Sequence, residues 1–138
     1  MSASRAPHSR VEGWWSRRSG SAGGTTVGLL PGLDHAEGNP YLTVSLPTGL
    51  GQGRNLLLVR SSDALVAVGG GFGTLSEIAL ALRTGTPVVG LATWSLRLGS
   101  GAVDAFPVAT DPDTAAGMAL EAARERRSDP AARRGEGA

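Results

Sequence analysis

The run Ser61-Ser62-Asp63-Ala64-Leu65-Val66-Ala67-Val68-Gly69-Gly70-Gly71-Phe72-Gly73-Thr74-Leu75-Ser76-Glu77 decides the fold of this chain. Ala64 to Val68 is apolar throughout, the pattern of a strand buried on both faces of a parallel sheet. Thr74 to Arg83 carries Leu75, Ile78, Ala79 and Leu82 at the spacing of a helix core face, and Gly85 stops it. Between strand and helix stand glycines, which allow positive φ and close approach of a ligand. A helix entered this way points its free N–H groups and positive dipole end at the turn. That arrangement binds an anion, most often a phosphate. Glu77 lies about one helical turn beyond Thr74 and can face the same pocket.

Outward from this run, strands and helices alternate. Thr25 to Leu30 reads as a strand closed by Pro31-Gly32, and Leu33 to Tyr41 as a loop. Leu42 to Leu46 alternates, with Leu42, Val44 and Leu46 on one face, and ends at Pro47. Gly51 to Arg60 reads as a helix with Leu56, Leu57 and Val59 on its apolar side. Pro87 to Leu91 is a second buried strand and Ala105 to Ala109 a short last one. Ser95 to Gly101 shows no decided pattern. Asp111-Pro112-Asp113 reads as a helix start, and Thr114 to Arg126 as an Ala-rich helix. The expected division is a non-homologous or disordered leader over 1–22, a domain over 23–127 and a disordered tail over 128–138. Alternation of this kind implies the α/β class: a Rossmann-like parallel sheet with flanking helices and right-handed crossovers. Ligands of such sheets sit at the carboxyl ends of the strands, where the loops after Leu30, Leu46 and Leu91 are expected with the glycine turn.

Composition narrows the function. The 138 residues fit one domain. Thirteen basic against 12 acidic residues leave a net charge of +1, no electrostatic case for nucleic acid or an anionic membrane. The chain has no cysteine and only two histidines, His8 and His35, so no thiolate or histidine metal site is expected. No apolar run reaches the roughly 20 residues of a membrane span, and no apolar segment follows the N-terminal arginines as in a signal peptide. A cytoplasmic protein is the expectation.

Gly70, Gly71, Gly73 and Thr74 are the candidate phosphate contacts, with the Thr74 hydroxyl capping the helix or touching the phosphate. The competing reading is a tight turn with no ligand. Glu77 is either a pocket carboxylate or a solvated acid favoured by the helix dipole. Arg54, flanked by Gly51, Gly53 and Asn55, offers a rigid fork of donors to a phosphate or a base, or is a surface arginine. Asn39, Pro40 and Thr48-Gly49 could line the pocket or only turn the chain. Trp94 could wall the pocket or pack in the core.

The stretch Gly49 to Trp94 resembles the Lonely Guy (LOG) superfamily, long labelled "possible lysine decarboxylases". The family signature is Pro-Gly-Gly-x-Gly-Thr-x-x-Glu, preceded by an arginine on the helix before. Gly69-Gly70-Gly71-Phe72-Gly73-Thr74-Leu75-Ser76-Glu77 matches it, with Gly69 in place of the proline. Ala22 to Gly32 and Asn39 to Tyr41 are similar to a bacterial branch related to the molybdenum cofactor carrier protein. The resemblance covers about residues 22–123. It implies one of two activities. In phosphoribohydrolase members a nucleoside 5′-monophosphate is cleaved at its N-glycosidic bond. Gly70, Gly71, Gly73 and Thr74 would then hold the phosphate, Glu77 would stabilise the oxocarbenium-like ribose or activate water, and Arg54 would steady the leaving base. In the carrier branch the pocket holds a phosphorylated ligand, an AMP-like nucleotide or the molybdenum cofactor, without turnover and with no further cofactor required. Binding is the leading expectation. Lysine decarboxylation is disfavoured, because it needs a lysine Schiff base and all 13 basic residues here are arginines.

The family fold begins with a strand, a helix, another strand and a second glycine loop that residues 1–22 do not resemble. A chain lacking those first strands is expected to leave Ala64–Val68 with an open edge. Reduced stability and weak nucleotide binding would follow, with a non-functional fragment as the third reading. Pairing into a homo-oligomer is expected only of a complete fold.

Overall fold

The computed structural model describes residues 17–103, 105–129 and 131, which fall into two units, Met1–Arg54 and Asn55–Ala138. In the first unit, residues 17–21 are helical, contrary to the disorder expected up to residue 22. Residues 1–16 lie outside the described residues. Strand β1 (Val27–Leu30) pairs in parallel with β2 (Val44–Pro47), from Val27 opposite Val44 to Leu30 opposite Pro47. Two threonines clasp the start of the pair. The Thr43 N–H donates to Thr26 Oγ1 at 2.8 Å, and the Thr26 N–H donates to Thr43 Oγ1 at 3.1 Å. At the other end the Thr48 hydroxyl donates to the Leu30 carbonyl at 2.7 Å. Leu42 falls outside β2, and Val44 and Leu46 are 39% and 45% exposed, so the apolar face expected over Leu42 to Leu46 is not a buried one. The loop expected over Leu33 to Tyr41 contains one 3-10 turn, His35–Glu37, capped by Asp34.

The second unit follows the expected alternation. Its elements are α1 (Arg54–Ser61, opening on the last residue of the first unit), β3 (Leu65–Gly69), α2 (Phe72–Thr84), β4 (Val88–Thr93), β5 (Leu96–Leu98), β6 (Gly101–Val103), β7 (Val108–Ala109) and α3 (Pro112–Ser128). β3, β4 and β7 form a parallel sheet in that order. Among the described residues β3 pairs with β4 alone. The undecided stretch after Trp94 is an antiparallel hairpin, β5 with β6, turned through Gly99 at φ 62°.

Val59, Leu65, Ala67, Ile78, Ala81 and Val88 form the core, with Leu80, Trp94, Leu96 and Phe106 packed against it. Helix α2 packs on β3 and β4, while α3 packs on β4, β3 and β7. The reading of β3 as buried on both faces is corrected. Leu65 and Ala67 are buried but Val66 and Val68 are only half-buried, because a strand at the edge of its sheet is incompletely covered. Gly85 ends α2 in the left-handed region at φ 67°, its N–H reaching the Ala81 and Leu82 carbonyls, as the sequence predicted.

Asp111 caps α3. Its carboxylate accepts from the Thr114 hydroxyl at 2.6 Å and from the Thr114 N–H at 2.9 Å, with Pro112 at the first helical position. The Thr114 hydroxyl, then the Thr114 N–H, hold the Asp111 carboxyl below the ordinary carboxylate value. A lowered folded-state pKa gives stability that is present above the unfolded value, about 3.9, and is lost as pH falls through the folded value. Wild type is therefore expected to melt above Asp111→Ala at pH 7. The gap should narrow as melts are taken down to about pH 2.5. A gap independent of pH would refute the charged cap.

Candidate functional site

The glycine turn stands at the carboxyl end of β3, where parallel sheets bind ligands. Gly69 has φ 81°, a conformation side chains resist, and a Cβ there or at Gly70 or Gly71 would meet no atom within 4 Å. The turn is thus bare backbone facing open space. Gly71 is the N-cap of α2, in extended conformation and with no side-chain capping bond. The first intrahelical bond runs from the Leu75 N–H to the Gly71 carbonyl at 3.1 Å. The N–H groups of Phe72, Gly73 and Thr74 precede it and have no acceptor one turn back within the helix.

Sequence reasoning placed the helix start at Thr74, and the structure corrects this to Phe72. A glycine cap leaves no capping side chain to read. Thr74 is accordingly not the cap; its hydroxyl is turned toward the Val68 carbonyl at 3.5 Å. Glu77 likewise moves into the second turn of α2, whose first turn holds no acidic residue. The dipole-favoured reading of Glu77 therefore loses its basis. Glu77 is half-buried and shares the helix face of Gly73 and Thr74.

The neighbouring strand end is irregular. Pairing runs Val68 to Leu91 and then skips to Gly69 with Thr93, leaving Ala92 as the bulged residue at φ 48°. The bulge lets the Thr93 hydroxyl donate to the Gly69 carbonyl at 2.7 Å. The Trp94 indole N–H donates to the Gly71 carbonyl at 3.2 Å. Trp94 was weighed as wall or core; it packs against the core cluster, as the core reading expects, and its indole N–H is bonded to the turn. Gly70, Gly71, Gly73, Thr74 and Glu77 thus come together on one edge of the second unit.

Asn55 escaped the sequence reading. It is 1% exposed, and its side-chain amide donates to Ser76 Oγ at 2.9 Å and toward the Gly73 carbonyl at 3.5 Å, tying α1 to the helix that carries the turn. Its signal was there: Asn55 and Val59, four residues apart, occupy the buried face of α1. Arg54 precedes Asn55 in the chain, is half-buried, and belongs to the first unit. Asn39, Pro40 and Thr48-Gly49 also belong to that unit. Two clefts of about 450 and 460 Å³ lie elsewhere, against α3, one lined by Ala64, Leu120 and Arg124 and the other by Leu82, Phe106 and Met118. The first is also lined by Asp63 and Arg127, which pair with each other, and the second by Thr86, Glu121 and Glu125. No helix of the described residues is long and apolar enough to cross a membrane.

The profile of the SLOG cluster4 family matches residues 13–119, across both units. The chain belongs to the SLOG cluster4 family. The LOG resemblance drawn from the glycine signature is thereby upheld. An uncharacterized protein of Archaeoglobus fulgidus is 45% identical over 71 residues, 51% of this chain and 46% of that protein. The matched segment thus spans about half the length of that relative. Among solved structures, the molybdenum cofactor binding protein of Rippkaea orientalis is similar with a TM-score of 0.64 and 29% identity, over 77% of this chain and 67% of that one. The molybdenum cofactor carrier protein of Chlamydomonas reinhardtii is similar with a TM-score of 0.62 and 34% identity, over 80% of this chain and 68% of that one. These neighbours bear out the Rossmann-like α/β class.

Proposed function

We propose that this SLOG protein binds a phosphorylated small molecule, a nucleotide or a phosphate-bearing pterin, at the turn Gly70–Thr74 and holds it without turnover. The observation that carries the reading is the bare turn. It presents N–H groups at a helix N-terminus, with Gly70 and Gly71 open to space, in a chain similar to two molybdenum cofactor proteins. A phosphate monoester would take the Phe72, Gly73 and Thr74 N–H groups, and α2 would favour its charge.

Hydrolysis of a nucleoside 5′-monophosphate is the second reading. It is favoured by Glu77, half-buried on the face of Gly73 and Thr74. One carboxylate there could stabilise an oxocarbenium-like ribose or activate water.

Calorimetric titration with AMP, with chromatography for free adenine, separates the two. Under the binding reading, AMP binds wild type and Glu77→Gln within about threefold, and no adenine appears. Adenine released by wild type and reduced at least about 100-fold in Glu77→Gln, the loss typical of a missing acid–base group, would establish the hydrolase instead. A melt offers an independent check, since ligand at ten times its Kd adds about 1.4 kcal/mol to a folded state that alone binds it. No binding of any phosphate ester at millimolar concentration would leave the turn a structural element.

A further inference from the structure

An aromatic shelf stands beside the turn. Phe72, the first residue of α2, is 80% exposed. Its ring centroid lies 5.8 Å from that of Trp94, with the planes tilted by 34°. The two residues are unequal. Trp94 is fixed by its hydrogen bond to the Gly71 carbonyl and by packing on the core, so it can only back the pair. Phe72 carries the outward surface. Its backbone N–H belongs to the same donor group as those of Gly73 and Thr74, and no side chain stands on Gly70 or Gly71 to separate ring from turn.

We infer that Phe72, backed by Trp94, is a stacking subsite for the fused nitrogen heterocycle of the phosphorylated ligand, a purine or a pterin. The inference rests on phosphate binding at Gly70–Thr74 and adds the ligand's second recognised group. A flat heterocycle stacks on an aromatic face whatever hydrogen bonds its edge offers, so one residue serves either ring. A sugar phosphate lacks such a face. The subsite would therefore select ring-bearing esters over ribose 5-phosphate, while the turn alone would not.

Calorimetry with ribose 5-phosphate, AMP and dihydroneopterin monophosphate tests this on wild type, Phe72→Ala, Phe72→Tyr and Phe72→Leu. Because Phe72 is so exposed, all four proteins should melt within a few degrees of one another. Phe72→Ala is expected to weaken the ring-bearing esters about tenfold, in line with base–aromatic stacking, and to leave ribose 5-phosphate within twofold. Phe72→Tyr should restore the loss and Phe72→Leu should not. A tenfold loss for only one ring names the source, purine or pterin. Equal losses for all three esters, or none for either ring compound, would overturn the subsite while leaving the phosphate reading in place. If ribose 5-phosphate and both ring compounds fail to bind wild type, the phosphate reading falls and the subsite with it.

Discussion

Gly71→Asp is expected to abolish phosphate-ester binding while leaving the fold as stable as wild type or slightly more so. Gly71 is the N-cap of α2 with φ −69° and ψ 152°, backbone angles that any residue adopts, and a Cβ there meets nothing within 4 Å. Aspartate is a favoured cap, and replacing a glycine cap is worth a few tenths of a kcal/mol. Its carboxylate would accept from the same N–H groups that a phosphate needs and would repel the incoming anion. Affinity for AMP should fall more than about 100-fold, because both donors and sign of charge are lost. The melting temperature should hold or rise by a degree or two. Opposite responses of binding and stability are the signature, since an unfolding variant would lose both. Gly71→Ala, which adds bulk but no charge, should fall between. AMP binding unchanged in Gly71→Asp would remove the turn from the ligand site.

The second large effect is on stability. Ile78 is fully buried on α2, within the cluster of Val59, Leu65, Ala67, Ala81 and Val88. Truncation to alanine removes three carbons from a closed space, and core changes of this kind cost about 2–5 kcal/mol. About 3 kcal/mol is expected for Ile78→Ala, a large share of the 5–15 kcal/mol that holds a typical domain together. In a unit of this size the melting temperature should drop by roughly 12–24 °C. Leu120→Ala is the control, since Leu120 is 58% exposed and should cost under about 0.5 kcal/mol. A loss under about 1 kcal/mol for Ile78→Ala would mean that α2 does not pack on the sheet as described.

Local signals carried most of the fold. The apolar run before the glycines marked β3 to within one residue at each end, and Gly85 marked the end of α2, because both are written in consecutive residues. The start of α2 was misplaced because glycine caps a helix by conformation and leaves no side chain to recognise. Burial of Val66 and Val68 was overestimated because apolar character does not tell how many neighbours a strand finds. The β5–β6 hairpin is too short for its Leu96-Arg97-Leu98 alternation to stand out. At the site, the glycines, Thr74 and Glu77 were legible from one contiguous motif. Asn55 with Ser76, and Phe72 with Trp94, were not, since each pair joins residues 21 or more positions apart that only the fold makes neighbours.

Helix α3 has a consequence for synthesis of the chain. Arg126 donates to the Ser62 carbonyl at 3.0 Å and to Thr86 Oγ1 at 3.1 Å, and Arg127 pairs with Asp63. These contacts reach back 40 and 64 residues, from the C-terminal turn of α3 to the segments leading into β3 and β4. On the ribosome, β3, α2 and β4 emerge first and must wait, one sheet face uncovered, until residues 126 and 127 clear the exit tunnel. Closure of the unit therefore waits for α3, and the apolar sheet face is open to chaperones until then.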